Sequence, residues 1–408
     1  MNNTSSKSKL KYPLVDSTYD NIEINKSIEV LKSGQLTMGP LVKKFENNFS
    51  KFVGASYSLM VNSGSSANLL AFSAITNPAR KNHLRPGDRV AIPAVCWSTS
   101  LWPIIQTGLV PVLIDVDPKT LNLSLYSLKK AILKDNIKAI MMVHVLGNST
   151  EIDEMLDIVK NNNIILIEDT CESLGSKYKD DFLGTIGEFG TFSFYFSHHM
   201  TTIEGGMIIC KNMEDYDLLK CLRTHGWSRE QSNKEKLEKE NRNIDPRWLF
   251  INIGFNLRPT EIQATFGIEQ IKRLDIMNNN RRENVRKLRR TFMTNSMWEN
   301  QLAFPKATKD LDPCWFGFPF LVKRKLNMRQ LTEILFTHGI ETRPIISGNI
   351  AIQPALKLFN VDLSMGPFVG AQEIHDRGLF VGCHSKLLDD EKINFLVTAV
   401  LEEIDKLN

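Results

Sequence analysis

The chain has 408 residues, is 42% hydrophobic and 24% charged, and carries a formal net charge of +4. That length allows two domains with a sizeable core, and so ordinary a mixture excludes a collagen-like or wholly disordered chain. No apolar run reaches membrane-spanning length, no Lys/Arg block interleaves with aromatics, and the N-terminal MNNTSSKSKLKYP lacks the apolar centre of a secretory signal. The expectation is a cytoplasmic protein with neither membrane nor nucleic acid as partner.

In chain order, residues 1–24 read as a disordered or loosely docked tail. From about residue 25 to residue 275, helical and strand patterns alternate. LVKKFENNFSKFV (41–53) and SLYSLKKAILKD (124–135) place apolar residues at helical spacing. YSLMV around Ser58, RVAIPAV (89–95), LVPVLIDV (109–116), KAIMMVHV (138–145) and NIILIED (163–169) are short, nearly continuous apolar runs. Such runs suit strands buried on both faces, and strands alternating with helices predict an α/β fold with a mostly parallel sheet. TFSFYF (191–196) reads as a further strand, and the segment closes on Glu204-Gly205-Gly206, where backbone can pass close to a ligand. SREQSNKEKLEKENRNIDPRW (228–248) is highly charged and reads as a solvated loop, an exposed helix or a flap over the substrate. A long helical pattern precedes strand signals such as WFGFPFLV (315–322), so a large domain over 25–275 is expected to give way to a smaller one over 276–408.

Several motifs fall where strands end, which is where open α/β sheets bind ligands. Asn62-Ser63-Gly64-Ser65-Ser66-Ala67-Asn68 follows a strand and opens an apolar helix. Its small residues offer backbone N–H groups and the positive end of a helix dipole to a phosphate, or form an ordinary N-cap turn. Trp97 follows RVAIPAV, either as a stacking platform or as a core tryptophan. Asp169 ends NIILIED and can pair with a protonated ring nitrogen or cap a helix. His198 and His199 lie in TFSFYFSHHMTTIEGGM (191–207), Asn256 in GFNLRPTEIQATFG (254–267) and Arg343 in ETRPIISGNI (341–350).

In this order, over roughly residues 35–350, these segments resemble the DegT/StrS-type sugar aminotransferases, which bind pyridoxal phosphate. The resemblance implies an aspartate-aminotransferase-like (fold type I) α/β architecture, with a large cofactor domain and a smaller C-terminal α/β domain. It implies that Ser65, Ser66 and Ser193 hold the cofactor phosphate, Trp97 stacks on the ring and Asp169 pairs with the ring nitrogen. Glu172 would lie near the ring hydroxyl. Asn256 would reach the phosphate of the partner subunit's cofactor, so the resemblance implies a homodimer with shared active sites.

The position of His198 carries, in that family, the lysine that tethers the cofactor covalently. Imidazole cannot form the tether but can move a proton near neutral pH. A doubled histidine here resembles the nucleotide-sugar 3-dehydratases of the family, which use the pyridoxamine form to remove a C3 hydroxyl from a 4-keto-6-deoxyhexose in deoxysugar and lipopolysaccharide biosynthesis. His198 is then the catalytic base and acid, and His199 a supporting residue. Arg343 is read as binding a substrate phosphate or donor carboxylate, or as a surface ion pair. His225 and His384 are further pocket candidates, with a structural or solvent-exposed role the preferred reading of each.

The six cysteines are Cys96, Cys171, Cys210, Cys221, Cys314 and Cys383, with none between 222 and 313. No closely spaced pair suits an iron–sulfur cluster, so no metal is expected. The resemblance offers two dehydratase types, one recycled by glutamate and one by an iron–sulfur reductase chain, and so implies glutamate as the amino donor. Two other readings stay open: an aminotransferase without the lysine tether, and a catalytically silent homologue. The sequence leaves open whether the nucleotide is GDP, CDP or dTDP.

Overall fold

The computed structural model describes residues 10–407. The strands of its two main sheets are numbered here in chain order. The larger sheet contains β1 (Tyr57–Val61), β2 (Arg89–Pro93), β3 (Val110–Ile114), β4 (Ile137–Val143), β5 (Ile165–Asp169), β6 (Phe189–Ser193) and β7 (Gly206–Cys210). Their spatial order is β1-β7-β6-β5-β4-β2-β3. All pairings are parallel except the two made by β7, which runs against both β1 and β6. The apolar runs read from the sequence become central strands because helices cover both faces of the sheet, so the side chains on either face are buried.

A four-stranded antiparallel sheet follows, from β8 (Leu302–Ala303), β9 (Gly317–Val322), β10 (Thr342–Pro344) and β11 (Gly378–Gly382), in the order β8-β9-β11-β10. The helix Leu274–Thr294 lies between the strands of the two sheets in the chain, and residue 275 is its second residue. The charged segment 228–248 contains the helix Lys234–Glu240, none of whose residues is buried. No helix among the described residues is long and apolar enough to cross a membrane.

Two expectations differ from the structure. Residues 1–9 of the expected tail lie outside the described residues, but from Tyr12 the segment is firmly docked. Tyr12 is fully buried, donates its hydroxyl to the Gly382 carbonyl at 3.0 Å and stacks on His384 with ring centroids 4.9 Å apart. Asp16 accepts from the Ser385 amide and hydroxyl at 2.9 and 2.7 Å. A tyrosine that buries its ring and satisfies its hydroxyl anchors chain that composition alone marks as polar. The second difference is the strand read over 191–196, which stops at Ser193. Phe194 leaves it to pack edge-on against Phe45 and Phe49 at 5.4 and 5.5 Å, while Tyr195 and Phe196 turn outward.

Candidate active site

The connection from β6 to β7 starts the site. Register pairs Ser193 with Gly206, and the twelve residues between them loop out at the carboxyl end of β6. Phe194 N–H donates to the Gly205 carbonyl and Thr202 N–H to the Phe194 carbonyl, both at 2.9 Å, closing the loop at its neck. The helix Glu261–Ile271 fixes it from outside: Gln263 donates to the Glu204 carbonyl at 2.6 Å, and Gln270 accepts from the Thr201 amide at 3.3 Å. Ile203 sits at φ 72°, a costly conformation for a β-branched residue, of the kind that persists where surroundings over-determine it. His198 is carried at the inner side of this loop.

The loop faces a cavity of about 380 Å³ between the ends of β1, β4, β5 and β6. One wall is the N-terminus of the helix Gly64–Ile75, capped by Ser63, whose hydroxyl accepts from the Ser66 amide at 3.1 Å. Ser63, Gly64 and Ser65 line the cavity. A Cβ at Gly64 would stand 2.6 Å from the Ser193 Cβ, and one at Gly206 would stand 2.4 Å from the Ser63 carbonyl carbon, so glycine is what lets this loop approach the sheet.

The floor is Asp169, 5% exposed. Its Oδ2 accepts from the Ser100 hydroxyl at 2.6 Å and the Asn68 amide at 2.9 Å, and its Oδ1 from the Cys171 amide at 3.1 Å. Three donors orient the carboxylate. Trp97, 59% exposed, stands over the cavity at the start of the helix Ser98–Gln106. Glu172 shares the wall; burial, opposed by a hydrogen bond from the Leu146 amide at 3.0 Å, pushes its carboxyl up to about 7. Leu146 holds that amide in place from a left-handed conformation, φ 53°.

His198 lines the same cavity. As a residue it is half-buried, with surface towards the cavity, but its Nδ1 is sealed from solvent and has no hydrogen-bond partner. Burial, and secondarily the Arg281 guanidinium, push its imidazole down to about 3, so the ring is neutral at physiological pH. His199 points away from the cavity and hydrogen-bonds through Nε2 to the Cys314 carbonyl at 3.0 Å, the supporting contact expected for it.

Of the expected site residues, the structure brings Ser65, Trp97, Asp169, Glu172, Ser193 and His198 onto one cavity. Ser66 stands behind that wall, because its hydroxyl is taken by Asn62 Oδ1 at 2.6 Å. Asn256 is at the surface of its own chain, where its Oδ1 accepts from Arg258 at 2.9 Å. His225 lies outside the cavity at φ 58°, edge-on to Trp227 at 4.9 Å. Arg343 is not on the cavity wall either; it is exposed and ion-paired with Glu341 at 2.8 Å. His384 is buried and bonded to the Pro13 carbonyl at 2.7 Å, a structural role.

Sequence reasoning gave no role to Asn68, Ser100 or His144. His144 is fully buried beside the cavity, 2.9 Å from both Ser149 Oγ and Glu168 Oε1. Glu168 also accepts from the amides of Gly184, Ile186 and Gly187. A histidine one residue beyond a strand was the available signal.

A sequence model of the DegT/DnrJ/EryC1/StrS aminotransferase family matches residues 18–401. The chain belongs to this family. It is 38% identical over 94% of its length, and 97% of the relative's, to a GDP-4-keto-6-deoxy-D-mannose 3-dehydratase of Escherichia coli O55:H7. It is 31% identical, over 93% of its length and 83% of the relative's, to a dTDP-4-dehydro-2,6-dideoxy-D-glucose 3-dehydratase of Saccharopolyspora spinosa. Among solved structures, a GDP-4-keto-6-deoxymannose-3-dehydratase with a trapped PLP-glutamate geminal diamine superposes with a TM-score of 0.87 at 37% identity, covering 95% of this chain and all of that one. The fold is therefore that of the pyridoxal-phosphate-dependent family, a large mostly parallel α/β sheet with a second, smaller sheet.

The residues present suit pyridoxal phosphate and its amine form. A glycine-dependent helix N-terminus offers N–H groups to a phosphate, a triply bonded carboxylate lies on the floor, and an exposed indole covers the cavity. Among the described residues, no lysine lines the cavity.

Proposed function

We propose that the chain is a 3-dehydratase that uses pyridoxamine phosphate to remove the C3 hydroxyl of a nucleotide-linked 4-keto-6-deoxyhexose, with glutamate restoring the amine. One observation carries the reading: a neutral imidazole with an unpartnered Nδ1, His198, lines the same cavity as Asp169. It can take a proton but cannot hold the cofactor covalently. The greater identity to the GDP-sugar relative than to the dTDP-sugar relative supports GDP as the nucleotide. The absence of a membrane-crossing helix among the described residues is compatible with the cytoplasm as the place of action.

When bound, the cofactor supplies an amine that joins the C4 carbonyl and a pyridinium ring that accepts electrons. The amides of the Gly64–Ile75 helix N-terminus, with Ser65 and Ser193, bind its phosphate. Asp169 keeps a proton on the ring nitrogen, because a fixed carboxylate favours the charged partner. Trp97, on the cavity wall, would cover the ring and limit access of water. His198, whose Nδ1 is sealed, removes a proton through Nε2 and returns it to the departing C3 hydroxyl. Glu172 holds or releases a proton at its carboxyl near neutral pH.

The test is mass spectrometry of the sugar nucleotide after incubation with glutamate and cofactor. Dehydration gives a product lighter by one oxygen, with ammonia and 2-oxoglutarate released. A product bearing an amine at C4, with no free ammonia, makes the protein an aminotransferase. An unchanged substrate with unchanged cofactor absorbance makes it a silent homologue.

A homodimer with shared sites is part of the same proposal. Asn256 lies outside its own cavity in a stretch with exposed apolar side chains: Trp248 is 56% exposed, Phe250 52% and Ile253 84%. Apolar area of that kind is usually covered by a partner. Light scattering is expected to give twice the chain mass; a fully active monomer overturns the proposal.

A further inference from the structure

We propose that Phe316 is a positioning residue that sets the plane of the His198 ring and keeps water from its buried nitrogen. The proposal rests on His198 being the base of the reaction above. Catalytic imidazoles are ordinarily oriented by a hydrogen bond to the second ring nitrogen. His198 Nδ1 is sealed and has no such partner. What meets the ring instead is aromatic: Phe316, centroid to centroid 5.0 Å at 67°, with Tyr195 farther off at 5.9 Å and 86°. An edge-to-face contact of this kind is directional.

Phe316 is itself held from several sides. Its amide donates to the Leu146 carbonyl at 3.0 Å, its carbonyl accepts from Arg281 at 3.4 Å, and its ring lies against Phe380 at 6.2 Å. Two residues earlier, the Cys314 carbonyl fixes His199. The short run 314–316 thus grips both histidines: His199 by the Cys314 carbonyl and, at 5.8 Å, the Phe316 ring, and His198 by the Phe316 ring alone. It passes so close to the 145–147 turn that a Cβ at Gly147 would stand 2.3 Å from the Cys314 oxygen. The Leu146 residue of that turn serves both sides of the cavity, its amide on Glu172 and its carbonyl on Phe316. Phe316 enters this position from the chain just before β9, so the second sheet supplies the seat for a base carried by the first.

The charged and titratable groups around His198 are Tyr195, His199 and Glu204 on its own loop, Arg281 on the Leu274–Thr294 helix, and His144, Asp169, Cys171 and Glu172 on the same cavity. Substituting Phe316 removes none of these groups, although its ring also lies against His199, centroid to centroid 5.8 Å. Removing the ring exposes the imidazole to water, and its proton affinity then rises towards that of a free histidine.

The experiment compares wild-type holoenzyme with Phe316→Ala, Phe316→Leu and Phe316→Tyr. NMR of carbon-labelled histidine, with the His198 signal identified by its loss in His198→Asn, reads the imidazole titration directly. Kinetics read kcat and KM. In Phe316→Ala, and less in Phe316→Leu, the His198 titration is expected to move to higher pH. The acid limb of kcat should follow it, and kcat should fall about 10–10²-fold at unchanged KM and cofactor affinity, the scale of a misplaced reacting group. Phe316→Tyr should restore both. An unmoved His198 titration with kcat within about twofold of wild type in Phe316→Leu overturns the proposal, even if Phe316→Ala fails to fold. A titration that moves in a protein with no dehydratase activity leaves the positioning intact and overturns only the function.

Discussion

His198→Asn is expected to bind cofactor with near wild-type affinity and to lose about two to four orders of magnitude in turnover, the usual worth of a positioned base. The phosphate wall at Ser63–Ser65, Trp97 and the Asp169 floor do not lean on the imidazole, so cofactor absorbance and affinity should persist. An amide has no basic nitrogen near neutral pH, so only the proton step is removed. The pH dependence adds a second readout. The His198 imidazole is depressed to about 3, so its proton-accepting form prevails above that value and is lost only as pH falls through it. The rate of the wild-type enzyme should therefore show no limb from His198 between about pH 5 and 8. A limb near pH 7 belongs instead to Glu172, whose carboxyl stands at about 7, and it should survive in His198→Asn and vanish in Glu172→Gln. Turnover of His198→Asn within a few-fold of wild type would place the base elsewhere and sink the reading.

The sequence makes the strands legible because parallel strands buried on both faces must be apolar throughout, as in the runs ending at Pro93, Ile114, Val143 and Asp169. The residues that chemistry needs at strand ends were legible for the same reason: Asp169 is an acid where an apolar run stops. Asn68 and Ser100 were not, although they hold that acid, because they lie 101 and 69 residues from it and meet it only through the order of strands. Leu146 follows the apolar run 138–145 and received no reading of its own. It is a left-handed turn, which neither period 2 nor period 3.6 reveals. Phe316 belonged to a strand signal, and nothing local distinguishes a phenylalanine that seats a histidine from one that fills a core. The TEIQATFGIEQ segment was noticed for its neighbour Asn256, yet its own Gln263 and Gln270 hold the His198 loop, a role visible only once helix and loop are adjacent.

Asp169→Asn is the second large effect, and it separates charge from shape. Asparagine fills the same volume, so the change leaves the sheet in place. The new amide group must occupy one of two positions that now accept hydrogen bonds. Turned towards Ser100 and Asn68 it meets two donors; turned towards Cys171 it meets the backbone amide. The second is the lesser loss, and a single buried donor left unpaired costs about 1–3 kcal/mol. Thermal unfolding of the cofactor-free protein should therefore fall by several degrees, at about 2–4 °C per kcal/mol for a domain of this size. The catalytic loss has a different origin. Without the negative charge nothing holds a proton on the ring nitrogen, and the electron-accepting character of the ring is reduced. Removing one fixed electrostatic partner from a site shielded from water costs about 10²–10³ in rate. Ser100→Ala provides the comparison: it takes one donor from the carboxylate while leaving its charge, so its stability loss should resemble that of Asp169→Asn and its rate loss should be much smaller. If the two variants lose turnover equally, Asp169 acts by holding the cavity together and not by its charge, and its assignment to the ring nitrogen is wrong.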